Sequence, residues 1–201
     1  MDLQTVVTFC AAFAIFAASP GPDNVTIFSK TLSHGATSGI AYGSGVVASI
    51  YCFVLLATAG FSAIGNFLNT NLSFLQYLGA GYLIYMGVST WRASFNIRPN
   101  VVTGSSLNVF LTGFILNISN PKMPFFYLAL LPGIFGIRTF TLTDILVILV
   151  LITIIEILVI GGHVILALKA KKAFSDLSQL KFINKIAGGL MVGAGIFVAS
   201  R

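Results

Sequence analysis

The sequence predicts an all-α integral membrane protein with six transmembrane helices, arranged as two inverted three-helix repeats in which helices 1 and 4 are broken. Three observations carry this. Only 8% of the residues are charged and 57% are hydrophobic, with a mean hydropathy of +0.98. A soluble domain carries about 25% charged residues, so this chain cannot cover itself against water, and lipid is its solvent. Six apolar runs each reach the roughly 18 residues needed to cross a bilayer. Two of these runs are interrupted by proline beside polar residues, at Ser19-Pro20-Gly21-Pro22-Asp23-Asn24 and at Ser119-Asn120-Pro121-Lys122.

The first run extends from Leu3 to about Thr31. Straight, it would be about 43 Å long against a hydrocarbon core of roughly 30 Å, so length alone calls for a break or a strong tilt. Pro20 and Pro22 supply the break, because each lacks an N–H and its ring clashes with the carbonyl one turn back. Ala17-Ala18-Ser19 resembles a signal-peptide cleavage site, but Met1-Asp2-Leu3-Gln4 has no basic residue. A secretory signal needs a positive start, so the segment is expected to be retained.

The second run, about Thr37 to Ile64, contains Gly39-Ile40-Ala41-Tyr42-Gly43. This small-xxx-small pattern favours close helix contact. Its polar residues Ser38, Tyr42, Ser44 and Ser49 are read as interhelical hydrogen-bonding groups. The third run, about Leu72 to Trp91, closes with Trp91 and Arg92 at interface depth. The connection from Arg92 to Ser106 has turn chemistry and divides the chain into halves 1–98 and 99–201. The fourth run, about Leu107 to Leu131, is broken at Asn120–Pro124, and Pro132-Gly133 is expected to end it. The fifth, about Leu142 to Leu168, holds Glu156 and His163, the latter read as interfacial. A basic connection from Lys169 to Lys185 leads to the glycine-rich sixth, about Phe182 to Ser200.

Net charge is +6, and a basic balance raises nucleic acid as a partner. Here the cations lie mostly in short connections between apolar runs, which makes them a topology signal. One set of connections holds Lys30, Arg92, Arg98, Lys169, Lys171, Lys172, Lys181 and Lys185; the terminal side holds Arg138 and Arg201. Cytoplasmic loops are rich in Lys and Arg, so both termini are expected on the non-cytoplasmic side, with no nucleic acid as partner.

The two breaks sit at similar depth, three spans apart, as facing broken helices do in inverted-repeat transporters. Structural kinks relieved by neighbouring helices are the alternative. The half-helix starting near Pro22 presents N–H groups and a positive dipole end, suited to a substrate carboxylate. The one ending near Ser19 presents carbonyls, suited to an ammonium group. A zwitterionic amino acid would satisfy both. The substrate-binding candidates are therefore Ser19, Pro20, Gly21, Pro22, Asp23, Asn24, Asn117, Asn120, Pro121 and Lys122. Asp23 either caps the second half-helix or meets a substrate ammonium or a proton. Lys122 snorkels, pairs with Asp23 or holds a carboxylate. Asn117 and Asn120 rebond freed backbone or touch substrate. Glu156, mid-span, is with Asp23 a proton-coupling candidate, or else a neutral carboxyl bonded between helices.

These residues also carry a resemblance. Ser19-Pro20-Gly21-Pro22-Asp23-Asn24, the run Tyr77-Leu78-Gly79-Ala80-Gly81-Tyr82-Leu83-Ile84-Tyr85-Met86-Gly87, and Asn120-Pro121-Lys122-Met123-Pro124 through Pro132 together resemble the lysine exporter / homoserine–threonine resistance (LysE/RhtB-type) superfamily. The resemblance covers nearly the whole chain. It implies proton-driven export of an amino acid or small derivative across the bacterial inner membrane by a multi-pass protein of two inverted halves. It maps Pro20 to Asn24 onto the first broken helix and Asn120, Pro121 and Lys122 onto the second. Pro124 and Glu156 fall outside the family's motif and point to a different substrate or helix geometry.

Other classes fit less well. A soft-metal exporter would want Met, His or Cys clusters at the breaks, so no metal or cofactor is expected. A thiol–disulfide carrier needs a reactive cysteine pair, whereas Cys10 and Cys52 both lie in the first half, outside the breaks. An intramembrane enzyme would want a motif such as His-Glu-x-x-His, and His34 and His163 stand alone. The expected partners are an amino acid, protons and the lipid bilayer. The oligomeric state is open, a homo-oligomer included.

Overall fold

The computed structural model describes residues 1–19, 21–63, 105–120, 131–135 and 139–173, with individual positions between 77 and 92, between 123 and 127, and between 185 and 199. Among the described residues the regular structure is all helical, with no strand. Helix α1 spans Leu3–Ala18, α2 Pro22–His34, α3 Ala36–Ala63, α4 Ser106–Ile118, α5 Leu131–Phe135 and α6 Leu142–Ala173. The described positions from Tyr77 to Arg92 and from Lys185 to Ala199 are helical as well.

The first run is broken where its prolines require. Helix α1 starts on Asp2, whose carboxylate accepts the Thr5 amide at 2.8 Å, a side-chain cap of the usual kind. It stops before Ser19, whose backbone is extended. Helix α2 restarts with Pro22 in its first position, where proline forfeits no hydrogen bond. The two axes bend by 57°. Helix α2 then ends on Gly35 at φ +87°, a left-handed conformation that glycine adopts without penalty.

Among the described residues two helices are long and apolar enough to cross a membrane by themselves, over Ala36–Gly60 and Leu142–Ala170, and the bent α1–α2 pair makes three if it is taken as one span. At 32 residues, α6 is about 48 Å long, longer than a bilayer core. It exposes Leu142, Leu146, Val150, Ile154, Leu158 and Ile165. So much exposed apolar surface would be untenable in water and is an ordinary lipid-facing surface.

Three sequence expectations change. Pro132-Gly133 does not end a helix: both lie within α5, which continues to Phe135. The basic connection begins later than expected, because α6 runs on to Ala173. Its last turns hold Lys169, Lys171 and Lys172 among alanines, all good helix formers. Lys30, counted with the loop cations, is buried in α2.

The core is aromatic and glycine-tuned. Phe9, Phe13 and Phe16 recur at helical spacing on one face of α1 and are all buried. Phe16 meets Phe126 at 4.1 Å between ring centroids, Phe13 meets it edge-on at 5.6 Å, and Phe9 meets Phe135 at 5.5 Å. Such aromatic pairs contribute about 0.5–1.5 kcal/mol each beyond area. They fasten α1 to the segment that follows the second break. Helix α4 packs chiefly on α3. A Cβ at Gly45 would collide with the Phe110 carbonyl, and one at Gly113 with the Tyr42 carbonyl. The Gly39/Gly43 pair works as its spacing suggests: a Cβ at Gly39 would strike Thr31, and one at Gly43 would strike Ile160. Helix α3 is thereby pressed against α2, α4 and α6 at once.

The start of α6 is tied to the start of α1. Thr141 and Asp144 cap each other reciprocally, Thr141 N donating to Asp144 at 3.1 Å and Asp144 N to Thr141 Oγ1 at 3.2 Å, a capping box with Asp in place of Glu. The Met1 amino group lies 3.9 Å from Asp144. Both helices therefore begin at the same end of the bundle.

Candidate functional site

The first break is closed from within. Asn24 lies in the first turn of α2 and turns back toward α1. Its Nδ2 donates to the Ala17 carbonyl at 2.7 Å and the Ser19 carbonyl at 2.9 Å. Ser19 Oγ donates to the Phe16 carbonyl at 2.6 Å. These are the carbonyls a helix C-terminus leaves without partners. The sequence reading offered them to a cation; here each already has a protein donor.

Asp23, the next residue back, points the other way, into the bundle. Its Oδ1 accepts from the Tyr42 hydroxyl at 3.3 Å. Its Oδ2 accepts from Asn117 Nδ2 at 3.1 Å and Asn120 Nδ2 at 2.8 Å. A carboxylate can only accept hydrogen bonds, and three donors, from α3, from α4 and from Asn120 just beyond α4, meet it here. Its place in the first turn of α2 sets it against the positive dipole end. Asn117 is completely buried, and its carbonyl oxygen receives the Ser49 hydroxyl from α3.

Beside Asp23 is a small cavity lined by Phe16, Ser19, Gly21, Asn24, Met123 and Glu156, with Ala17, Ile27 and Val46 completing an apolar wall. About 20 Å³ of it is open to the centre of a water-sized sphere, which is room for about one water and not for an amino acid. Glu156, on α6, is buried and borders it across from Asp23, so two carboxyl groups share one cavity.

Of the residues expected from sequence, Ser19, Gly21, Asp23, Asn24 and Glu156 line this cavity, and Asn117 and Asn120 bind Asp23. Pro22 opens α2 and is exposed. Pro20, Pro121 and Lys122 lie outside the described residues. His163, expected at the interface, is part-buried in α6, its Nδ1 paired with the Val159 carbonyl at 2.8 Å. Tyr42 and Ser49 were not singled out as site residues. Their spacing of two helical turns on an apolar helix, which sets both on one face, was the available signal. Cys10 and Cys52 are unpaired, in α1 and α3. No group of three His, Cys, Asp or Glu residues able to hold a metal occurs among the described residues.

The comparison with known proteins supplies the family. The LysE type translocator family model matches residues 14–201. The chain belongs to that family. An uncharacterised membrane protein of Synechocystis sp. is 28% identical to this LysE type translocator, covering 98% of this chain and 97% of its own. The homoserine/homoserine lactone efflux protein of Salmonella typhimurium is 26% identical, over 100% of this chain and 98% of its own. The leucine efflux protein of Salmonella choleraesuis is 24% identical, over 61% of this chain and 59% of its own. No solved structure matches significantly. Family membership makes this LysE type translocator a membrane transport protein and not an enzyme.

Proposed function

We propose that this protein exports an amino acid or small amino-acid derivative from the cytoplasm in exchange for protons, by alternating access around Asp23. The observation that carries the reading is the meeting of Asp23, from the first break, with Asn117 and Asn120, from the second. The efflux relatives, named for homoserine, homoserine lactone and leucine, point to the same substrate class.

In this reading the protein has six transmembrane helices in two inverted halves, 1–98 and 99–201, in the bacterial inner membrane, and both termini lie outside the cytoplasm. One half rocks against the other, as in other inverted-repeat transporters. The cavity widens when the breaks part, and the donors on Asp23 are released to it. Ser19, Gly21, Asn24 and the two asparagines then line the substrate, with Pro20, Pro22, Pro121 and Lys122 shaping the breaks. A carboxylate that holds a proton cannot also hold an ammonium group. Competition for Asp23, with Glu156 as the second carboxyl on the cavity, makes proton entry and substrate exit exclusive events, which is what antiport requires.

The test is efflux from proteoliposomes loaded with a panel of amino acids under an imposed pH gradient. Gradient-driven release of at least one small amino acid is expected. Absence of release across the panel would remove the reading. Labelling of cysteines introduced at each end, with a membrane-impermeant reagent, checks the orientation; a cytoplasmic C-terminus would reverse it.

A further inference from the structure

Ser49 carries a single hydroxyl hydrogen but has two acceptors within reach. One is the Val46 carbonyl at 2.9 Å, and the other is the Asn117 side-chain carbonyl. Only one can take the hydrogen at a time. Ser49 and Asn117 are both completely buried, so water cannot fill the vacancy. The two faces of a carboxamide have nearly the same shape, so turning Asn117 over takes no extra space. From these constraints we propose that Ser49 and Asn117 are positioning residues for Asp23, forming a hydrogen-bond chain that reverses when Asp23 gains or loses its proton. The inference rests on the proposed role of Asp23 as the coupling carboxyl.

Two arrangements keep the three side chains linked. In the first, Ser49 donates to Asn117 Oδ1, and Asn117 Nδ2 donates to Asp23, as found here. In the second, Asp23 holds a proton on Oδ2 and donates it to Asn117 Oδ1. The turned-over Nδ2 donates to Ser49 Oγ, and Ser49 donates to the Val46 carbonyl. Tyr42 and Asn120 keep their bonds to Asp23 throughout. A serine hydroxyl donates and accepts, so it can serve both arrangements. The proton's arrival at Asp23 is thereby registered 94 residues away in sequence, on the α3–α4 contact.

Among the described residues, the ionisable groups facing Asp23 are Tyr42 from α3 and Glu156 across the cavity from α6. Helices α1 and α4 present Phe16, Ser19 and the two asparagines, which do not titrate. Lys30 lies two turns further along α2 itself.

The full-length protein in lipid nanodiscs, with ¹³C-labelled asparagine side chains, tests this by infrared difference spectroscopy across a pH titration. A carboxamide band is expected to change with the same midpoint as a protonated-carboxyl band, and Asp23→Asn removes both changes. Efflux from proteoliposomes against pH supplies the second readout. In Ser49→Ala the turned-over amide N–H has no acceptor, and an orphaned buried N–H is tolerated less well than an orphaned carbonyl. The efflux midpoint therefore moves to lower pH by roughly half to one unit, the effect of one net hydrogen bond, and Ser49→Thr restores it. A carboxyl band that titrates while the carboxamide band stays fixed overturns the chain and leaves the coupling role of Asp23 intact. A Ser49→Ala profile superimposable on wild type does the same. If Asp23→Asn leaves the carboxyl band and the efflux profile unchanged, the coupling role falls and the chain falls with it.

Discussion

Asn120 Nδ2 lies 2.8 Å from Asp23 Oδ2, across a sequence separation of 97 residues. Asp23 follows the first break and Asn120 stands at the second, in separate apolar segments of the chain. Their contact turns two local interruptions into one site, because each supplies what the other lacks: a carboxylate on one side, carboxamide donors on the other. Asp23→Asn keeps the shape but puts an amide against amides. Hydrogen bonds to a charged group are worth about 1.5–3 kcal/mol, so gradient-driven efflux should fall at least about tenfold. Counterflow without a gradient separates lost coupling from lost binding.

Asn24 performs a different task from its neighbour. Removing its carboxamide in Asn24→Ala leaves the Ala17 and Ser19 carbonyls without their donor. Each unsatisfied buried group costs about 1–3 kcal/mol. A lower melting temperature in detergent is expected, whatever the substrate. Unchanged melting would mean that water or lipid headgroups reach the break.

The α3–α4 crossing has no room for side chains at Gly45 or Gly113. Overpacking typically costs about 1–3 kcal/mol, and here the obstacle is backbone rather than a movable side chain. Gly113→Val should reduce folded yield in size-exclusion profiles and abolish efflux. Gly60→Ala, whose Cβ would meet open space, should do neither.

Met123 is buried and forms part of the cavity wall. Shortening it in Met123→Ala enlarges a space that now has room for about one water. Competition assays should show the preference moving toward amino acids with larger side chains. A panel ranked as in wild type would place the size filter elsewhere.

Tyr127 stacks on Phe53 at 5.8 Å, and its buried hydroxyl has no hydrogen-bond partner among the described residues. Tyr127→Phe removes an unsatisfied polar atom and keeps the ring, so thermal stability should rise by about 1 kcal/mol or more. A fall in stability would reveal a partner for the hydroxyl.

The membrane class, the helical content and the place of the first break were legible from sequence alone. They follow from local chemistry: too few charges for water, and prolines that cannot continue a helix wherever they fall. Leu131–Phe135 shows where local reading fails. Pro132 looked like a stop, yet the chain is helical through it to Phe135, because a membrane helix tolerates proline where its surroundings re-satisfy the freed backbone. The individual roles at the break were decided only in three dimensions. Adjacent residues on a helix point about 100° apart, so Asp23 faces the bundle while Asn24 turns back to the freed carbonyls, and no pattern in Pro-Asp-Asn tells one from the other. Tyr42, Asn117 and Asn120 acquire their meaning only when glycine contacts press α3 onto α4 and bring these distant polar groups within hydrogen-bond reach of one carboxylate, with Ser49 behind Asn117.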